Sequence, residues 1–281
     1  MQRKNYTKPT YMPYTYKYPR PAVTTDCVIF TFHEELLKVL LVRRGLEPFK
    51  GMWALPGGFL KMDESAEEGA YRELKEETGV TGCTIKQFHT FSRPNRDPRE
   101  RVVTIAFYAL MKWQKAEGAD DAEFADWIAV NMLPPLAFDH EEIIELALET
   151  IRRDIFFEPV GFDLLNDIFS MPEVQKVYEA ILGKEFDRRN FAKKMKHLDI
   201  LEEVNHNDEK VLPLPFLNKP SAAPTTAPPI TYQQNDTNYM MDCEPESRCP
   251  DIKRSGRRKN LWFRLNRKRY DELKDEDQFE F

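Results

Sequence analysis

Cysteine is scarce in this chain of 281 residues. The four present (Cys27, Cys83, Cys243 and Cys249) form no C-x-x-C pair and no disulfide-like framework. Reduced thiols in a cytosol are the expected state. No segment approaches the ~20 consecutive apolar residues of a membrane span. The first residues, MQRKNYTKPTYMPYTYKYPRP, are basic and rich in Tyr and Pro but lack the apolar core of a signal peptide. A soluble, cytoplasmic protein with no membrane partner is expected. Histidine adds little: His140 belongs to a helix start and His197 to the end of a basic helix, and neither has a partner at metal-ligand spacing. No internal repeat is present.

What the chain does contain is concentrated between Gly58 and Val80, GFLKMDESAEEGAYRELKEETGV. Gly58, Glu64, Arg72, Glu73, Leu74, Glu76, Glu77, Gly79 and Val80 fill the pattern G-x5-E-x7-R-E-U-x-E-E-x-G-U, where U is aliphatic. At ordinary residue frequencies such a match arises at a given start on the order of 10⁻¹⁰ of the time.

The spacing predicts a metal-binding helix. Ser65 followed by Glu68 is a capping box that opens it, and Gly79 is placed to close it in a left-handed turn. Ala66, Ala70 and Leu74 make the buried stripe. Glu73, Glu76 and Glu77 then fall within an arc of roughly 100°. Three carboxylates so close raise one another's pKa unless a cation sits among them, and hard oxygen ligands suit Mg²⁺ or Mn²⁺. Arg72 can hold a carboxylate in place through a bidentate contact. Upstream, Trp53-Ala54-Leu55-Pro56-Gly57-Gly58 reads as a short strand entering a glycine turn. There the backbone approaches a ligand at Gly58, and the Gly57 carbonyl is a candidate metal ligand. Glu67 and Glu68 read as solvated acids, and Trp53 and Trp127 as core or pocket wall.

Around the helix lie strand-like runs, VTTDCVIFTF, LLKVLLVRR, IKQFHTF, RVVTIAFYAL and WIAV. After Pro134-Pro135, Asp139 and Glu142 read as a second capping box opening HEEIIELALETIRRD. Strands with one helix inside the run and one after it imply a sheet packed between helices. The expected organisation is an N-terminal arm (1–22), a first domain (23–154) and a second domain (155–204 plus 252–281). Residues 205–251, which hold eight of the twenty prolines, read as a disordered insertion.

In the second domain FDLLNDIF, MPEVQKVYEAILG and DRRNFAKKMKHL read as three short amphipathic helices, with Pro172 in a first turn, Gly183 past an end and Asp187 as a cap. ILEEV and KNLWFRLN read as strands and RKRYDELKDE as a last helix. Net charge is −6, but its distribution is uneven. Lys184 to Asp199 has six basic residues and three acids, and Ile252 to Tyr270 has nine basic residues and none acidic. Two basic elements flanking three helices fit a winged helix-turn-helix on double-stranded DNA. Arg188, Arg189, Asn190, Lys193 and Lys194 on the third helix, and Arg257, Arg258 and Lys259 before the wing strand, are the candidate DNA contacts. Asn190 and Arg189 are the candidate base readers, and Trp262 and Phe263 are wing pegs.

The pattern at Gly58 to Val80 is the Nudix box. With PNRDPRERVVTIAFYAL and ADDAEFADWIAV it resembles the ADP-ribose pyrophosphatase branch of Nudix proteins, and QKVYEAILGKEFDRRNFAKKM resembles the winged helix of the Nudix-related transcriptional regulators. The resemblance implies a Nudix α/β/α sandwich followed by a winged helix-turn-helix domain, usually in a homodimer. It implies ADP-ribose, a related nucleotide or a sugar such as arabinose as ligand. Many such regulators have a decayed box and only sense; this chain keeps every box residue, and it inserts some 45 residues into the wing. In a hydrolase reading Glu73, Asp120, Asp121 and Glu123 are candidate general bases, and Arg96 and Arg99, stiffened by Pro94 and Pro98, candidate clamps for diphosphate or ribose. Three functions stay open: a ligand-sensing DNA-binding regulator that retains hydrolysis or not, a plain Nudix hydrolase whose second domain dimerises, and an RNA-directed hydrolase.

Overall fold

A computed structural model describes residues 16–118, 122–204 and 261–275. Its first ten elements are β1 (Ala22–His33), β2 (Leu36–Arg44), β3 (Trp53–Ala54), β4 (Gly57–Phe59), α1 (Ala66–Thr78), β5 (Lys86–Phe91), β6 (Val102–Leu110), β7 (Ala122–Ala129), a 3₁₀ turn at Val130–Met132 and α2 (His140–Asp154). The strands form one mixed sheet in the order β3-β2-β1-β6-β5, with β4 also paired to β1 and β7 to β2. β1 is central, parallel to β6 and antiparallel to β2.

Because β1 is covered on both faces, it reads as a continuous apolar run rather than an alternation. Cys27 and Ile29 pack toward α1 with Ala70, Leu74, Phe107 and Trp127. Val28 and Phe30 point the other way, toward Ile143, Ile144, Ala147 and Ile151 of α2. This is the expected sandwich, with one helix layer on each side of the sheet.

α1 begins and ends as its sequence dictates. Glu68 takes the Ser65 N–H at 2.8 Å, the Ser65 hydroxyl accepts from the Glu68 N–H, and Gly79 closes the helix at φ 69°. α2 does not begin as expected. Asp139 makes no capping bond, because its carboxylate is held by Arg96, and Glu142 is held by Arg93.

The remaining elements are a 3₁₀ helix (Val160–Leu164), β8 (Phe169–Ser170), α3 (Met171–Leu182), α4 (Arg188–His197), β9 (Leu201–Val204), β10 (Trp262–Leu265) and α5 (Arg267–Asp275). FDLLNDIF is therefore not an α-helix. Its first half winds into the 3₁₀ turn after Pro159, with Gly161 close against the Tyr178 ring. Its last residue, Phe169, pairs with Phe263 in β10. β8, β10 and β9 form a small antiparallel sheet behind α3 and α4, the layout of a winged helix. α3 starts with Pro172 in its first turn and Glu173 accepting from the Ser170 N–H, and ends at Gly183 with φ 66°. Asp187 caps α4 through the N–H groups of Arg189 and Asn190.

One hydrophobic core runs through both regions. Val28, Phe30 and Tyr108 of the large sheet, Ile144 and Ile151 of α2, Val177 and Tyr178 of α3, and Phe191 and Met195 of α4 belong to it. Burying each such side chain contributes about 1.5–3 kcal/mol, so the two regions are packed together rather than strung on a linker. No helix among the described residues is long and apolar enough to cross a membrane.

Candidate functional site: a carboxylate-lined cavity and a basic helix

A cavity of about 340 Å³ opens between the first half of β1, the glycine strand β4, α1 and the start of α2; Asp26, Gly57, Gly58, Glu73, Glu77, Arg96 and His140 are among its lining. Gly57 is obligatory there, since a Cβ would stand 2.1 Å from the Thr25 carbonyl oxygen. The close approach lets the Gly57 N–H donate to Glu77 Oε2 at 2.9 Å. At Gly58 a Cβ would meet Glu73 Oε1 at 2.5 Å, so the missing side chain makes room for that carboxylate.

Arg72 organises the acids of α1. Its guanidinium grips Glu64 with two bonds of 2.9 and 2.6 Å, reaches Glu73 at 2.6 Å and Glu76 at 2.9 Å, and donates to the Phe59 carbonyl at 3.2 Å. The Arg72 guanidinium and the Lys61 N–H hold the Glu64 carboxyl down at about 2. Glu77 behaves oppositely. Burial, with Glu73 and Asp26 nearby, pushes it up to about 8 despite the Gly57 N–H.

As the side chains stand, no three His, Cys, Asp or Glu among the described residues surround a single metal position, since Arg72 draws Glu73 and Glu76 to itself. The donor chemistry still fits a hard divalent ion. Burial, with Glu73 and Asp26 adding to it, raises the Glu77 carboxyl, so a cation beside it would be favourable, and the missing side chain at Gly58 leaves room beside the Glu73 carboxylate. Glu73, Glu76, Glu77 and the Gly57 carbonyl are the residues that would hold it.

Of the two candidate clamps, Arg96 is no surface arginine. Its side chain is 4% exposed, bonded to Asp139 at 2.9 and 2.7 Å and to Asp26 at 3.2 Å. Burial alone would make it less basic, but Asp139 and Asp26 raise it. Arg99 sits nearer the mouth, tied to Asp97 at 2.7 Å, with its guanidinium 5.3 Å from the Phe59 ring centroid and 5.7 Å from that of Phe138. Asp120, Asp121 and the side chain of Glu123 lie outside the described residues.

Composition and spacing passed over His140. It is buried, its Nδ1 accepts the Leu55 N–H at 2.8 Å, and its Nε2 lies 3.7 Å from Asp26 Oδ1. Burial lowers its basicity, although Asp26 and Asp139 oppose that. Nothing in a single sequence marks this histidine, because its partners lie 85 and more residues away in the chain.

The second site is α4. Phe191 and Met195 anchor it in the core, while Arg188, Arg189, Asn190, Lys193 and Lys194 stand on its exposed side. Lys196 leans on the wing, 3.5 Å from Glu203 and over the Phe263 ring. Arg257, Arg258 and Lys259 lie outside the described residues, as does the expected insertion of residues 205–251.

A Nudix sandwich with an intact acidic box, packed against a winged helix with a basic exposed helix, defines a Nudix protein built to meet DNA. Residues 20–147 match the NUDIX domain and residues 161–212 the NrtR DNA-binding winged helix domain. The chain is 30% identical over 195 residues to the ADPR responsive transcriptional repressor NtrR of Acinetobacter baylyi, covering 68% of this chain and 78% of that one. Over 128 residues it is 43% identical to an ADP-ribose pyrophosphatase of Methanocaldococcus jannaschii, 46% of this chain and 73% of its relative. Among solved structures, Shewanella oneidensis NrtR complexed with a 27mer DNA superposes with a TM-score of 0.59 at 34% identity, covering 69% of this chain and 90% of that one. The chain belongs to the NrtR family of Nudix-related transcriptional regulators.

Proposed function

We propose that this protein is a DNA-binding repressor whose Nudix cavity takes ADP-ribose, and that the same cavity hydrolyses it with Mg²⁺ or Mn²⁺. The observation that carries this reading is the intact carboxylate set of α1 facing a glycine strand, in one core with an exposed basic helix. The names of the relatives, an ADPR-responsive repressor and an ADP-ribose pyrophosphatase, supply the ligand class.

In the hydrolytic step, water oxygen bonds to one phosphorus while the bridging oxygen leaves with the other, giving AMP and ribose 5-phosphate. A divalent ion, which Glu73, Glu76, Glu77 and the Gly57 carbonyl would hold, would supply charge compensation for the diphosphate oxygens. Arg99, at the mouth, meets the diphosphate or terminal ribose, Gly58 lets the ligand approach the main chain, and Arg96 holds the cavity wall. Glu73 is the described candidate for the general base. On DNA, α4 lies in the major groove, with Arg189 and Asn190 toward base edges and Arg188, Lys193 and Lys194 toward phosphate. Arg257, Arg258 and Lys259 add phosphate contacts from the wing. A homodimer acting in the cytoplasm fits a paired operator.

The test has two arms. A salt-titrated mobility shift on the protein's own upstream DNA should show a complex that ADP-ribose weakens; no shift at low salt, with or without ADP-ribose, refutes regulation. Incubation with ADP-ribose and Mg²⁺ should yield AMP and ribose 5-phosphate, lost in Glu76→Gln and Glu77→Gln. Undiminished turnover in both variants refutes the metal placement.

A further inference from the structure

The segment that carries Gly57 into the cavity is held by an unusual rung. Residues 53–55 run beside residues 136–140, starting with a parallel bridge between Trp53 and Leu136 and the Ala137 N–H donating to the Trp53 carbonyl at 2.8 Å. A regular ladder would next offer a main-chain carbonyl to the Leu55 N–H. Instead the chain turns at Phe138, with φ 54°, and enters α2. The imidazole of His140 takes over, its Nδ1 accepting the Leu55 N–H at 2.8 Å.

That bond sits immediately before the residues that matter. Beyond Leu55, the Pro56 carbonyl accepts from the Cys27 N–H at 2.9 Å, the Gly57 N–H donates to Glu77, and Gly57 and Gly58 pair with Asp26 and Thr25. The glycine strand is thus fixed to β1 on its far side, and His140 fixes it on the near side. A ring that accepts at Nδ1 carries its proton on Nε2, and that edge faces Asp26 Oδ1 at 3.7 Å. The imidazole is buried and adjoins Asp139, the partner of Arg96.

We propose that His140 is a positioning residue for the divalent-ion site: through Nδ1 it sets the depth of the Leu55–Gly58 segment and hence where the Gly57 carbonyl and Glu77 meet an ion. Its Nδ1 is occupied by the Leu55 N–H, so its role runs through that segment. The inference rests on the metal site argued under Proposed function, and outer residues that orient ligands are commonly worth tenfold or more in metal affinity.

The experiment compares Mn²⁺ affinity of the full-length protein, followed by electron paramagnetic resonance, in wild type, His140→Leu and His140→Asn. Leucine has no acceptor. Asparagine Oδ1 is carried on Cγ as Nδ1 is, and can accept from the Leu55 N–H. His140→Leu should weaken Mn²⁺ binding by about tenfold or more, whereas His140→Asn should stay within about threefold of wild type. A merely structural histidine would let both variants lose thermal stability without this split. Leucine binding as tightly as wild type, or asparagine as weakly as leucine, overturns the proposal. Should His140→Leu fail to fold, the ¹⁵N shifts of the wild-type ring decide: a proton on Nδ1 overturns the proposal, and a bare, hydrogen-bonded Nδ1 supports it. If wild type itself binds no Mn²⁺, the metal site fails and the inference falls with it, a result distinct from a variant-specific one.

Discussion

Arg152 donates through Nε to the main-chain oxygen of Ile181 at 2.8 Å, joining the last turn of α2 to the last turn of α3. The other end of α2 lies in the cavity, where Asp139 holds Arg96 and His140 holds Leu55. A helix of fifteen residues spans about 20 Å, so one rigid element touches both the ligand cavity and the support of the DNA helix. A shift of Arg96 would therefore reach α3 through α2.

Removing the Arg152 contact should therefore uncouple the two sites without abolishing either. Coupling between two ligands is commonly worth roughly 5–150-fold in affinity and is reciprocal. In Arg152→Ala the ratio of DNA affinities without and with ADP-ribose, read by fluorescence anisotropy, should fall toward one, while calorimetry finds ADP-ribose affinity for the DNA-free protein little changed. An undiminished ratio would show that α2 does not carry the signal.

Glu77 gives a pH signature to the metal-free protein. Its folded carboxyl titrates at about 8, above the value of about 4.3 for an unperturbed glutamate. The folded state then binds this proton more tightly than the unfolded chain, so stability falls as pH rises between those values and levels off above the higher one. The full effect of such a shift is on the order of 5 kcal/mol. Melts in chelator at pH 5, 6.5 and 8 should show the decline, Glu77→Gln should flatten it and raise the melting temperature at pH 8, and Mg²⁺ should do the same for wild type. A wild-type melting temperature independent of pH and of Mg²⁺ would mean that Glu77 is already compensated.

These buried relationships mark the limit of what the sequence discloses. Ser65 with Glu68, Gly79 and Gly183 are local signals, since each acts within one helical turn, and the structure follows them. The doubly buried β1 is legible from its unbroken apolar run. Asp139 looks like a helix cap for the same local reason, yet a guanidinium 43 positions away outcompetes the N–H groups for its carboxylate. The 3₁₀ turn within FDLLNDIF is set by contact with Tyr178 and by β10, nearly a hundred positions away along the chain, across residues 205–251. At the site, the acids of α1 are readable from their period, whereas the roles of Arg96 and His140 exist only after folding.

The two adjacent glycines separate a folding requirement from a site requirement. A methyl at Gly57 meets the Thr25 carbonyl, which belongs to the central strand and has nowhere to go. A methyl at Gly58 meets first the carboxylate of Glu73, the end of a side chain. Gly57→Ala should lower the melting temperature, because overpacking in a rigid place typically costs about 1–3 kcal/mol of stability and occasionally more. Gly58→Ala should keep the fold but weaken Mn²⁺ binding and turnover. Equal loss of stability in both would show that Glu73 is as fixed as the backbone.

The basic side of α4 carries the last expectation. Arg189 and Lys193 are exposed on a helix whose buried side is Phe191 and Met195, so their truncation leaves the core untouched. Each cation that neutralises a phosphate releases about one counterion, and its loss reduces the slope of log affinity against log salt by about one. Lys193→Ala should weaken binding to every duplex alike and lower that slope. Arg189→Ala should cost more on the operator than on unrelated DNA, about 1–3 kcal/mol if it reads a base edge. Mobility shifts at four salt concentrations on operator and scrambled duplexes measure both quantities, and ADP-ribose turnover in the same preparations should match wild type. A fall in turnover alongside DNA affinity would mean that the cavity and α4 are not separable, and identical losses on both duplexes for Arg189→Ala would assign it to phosphate instead of bases.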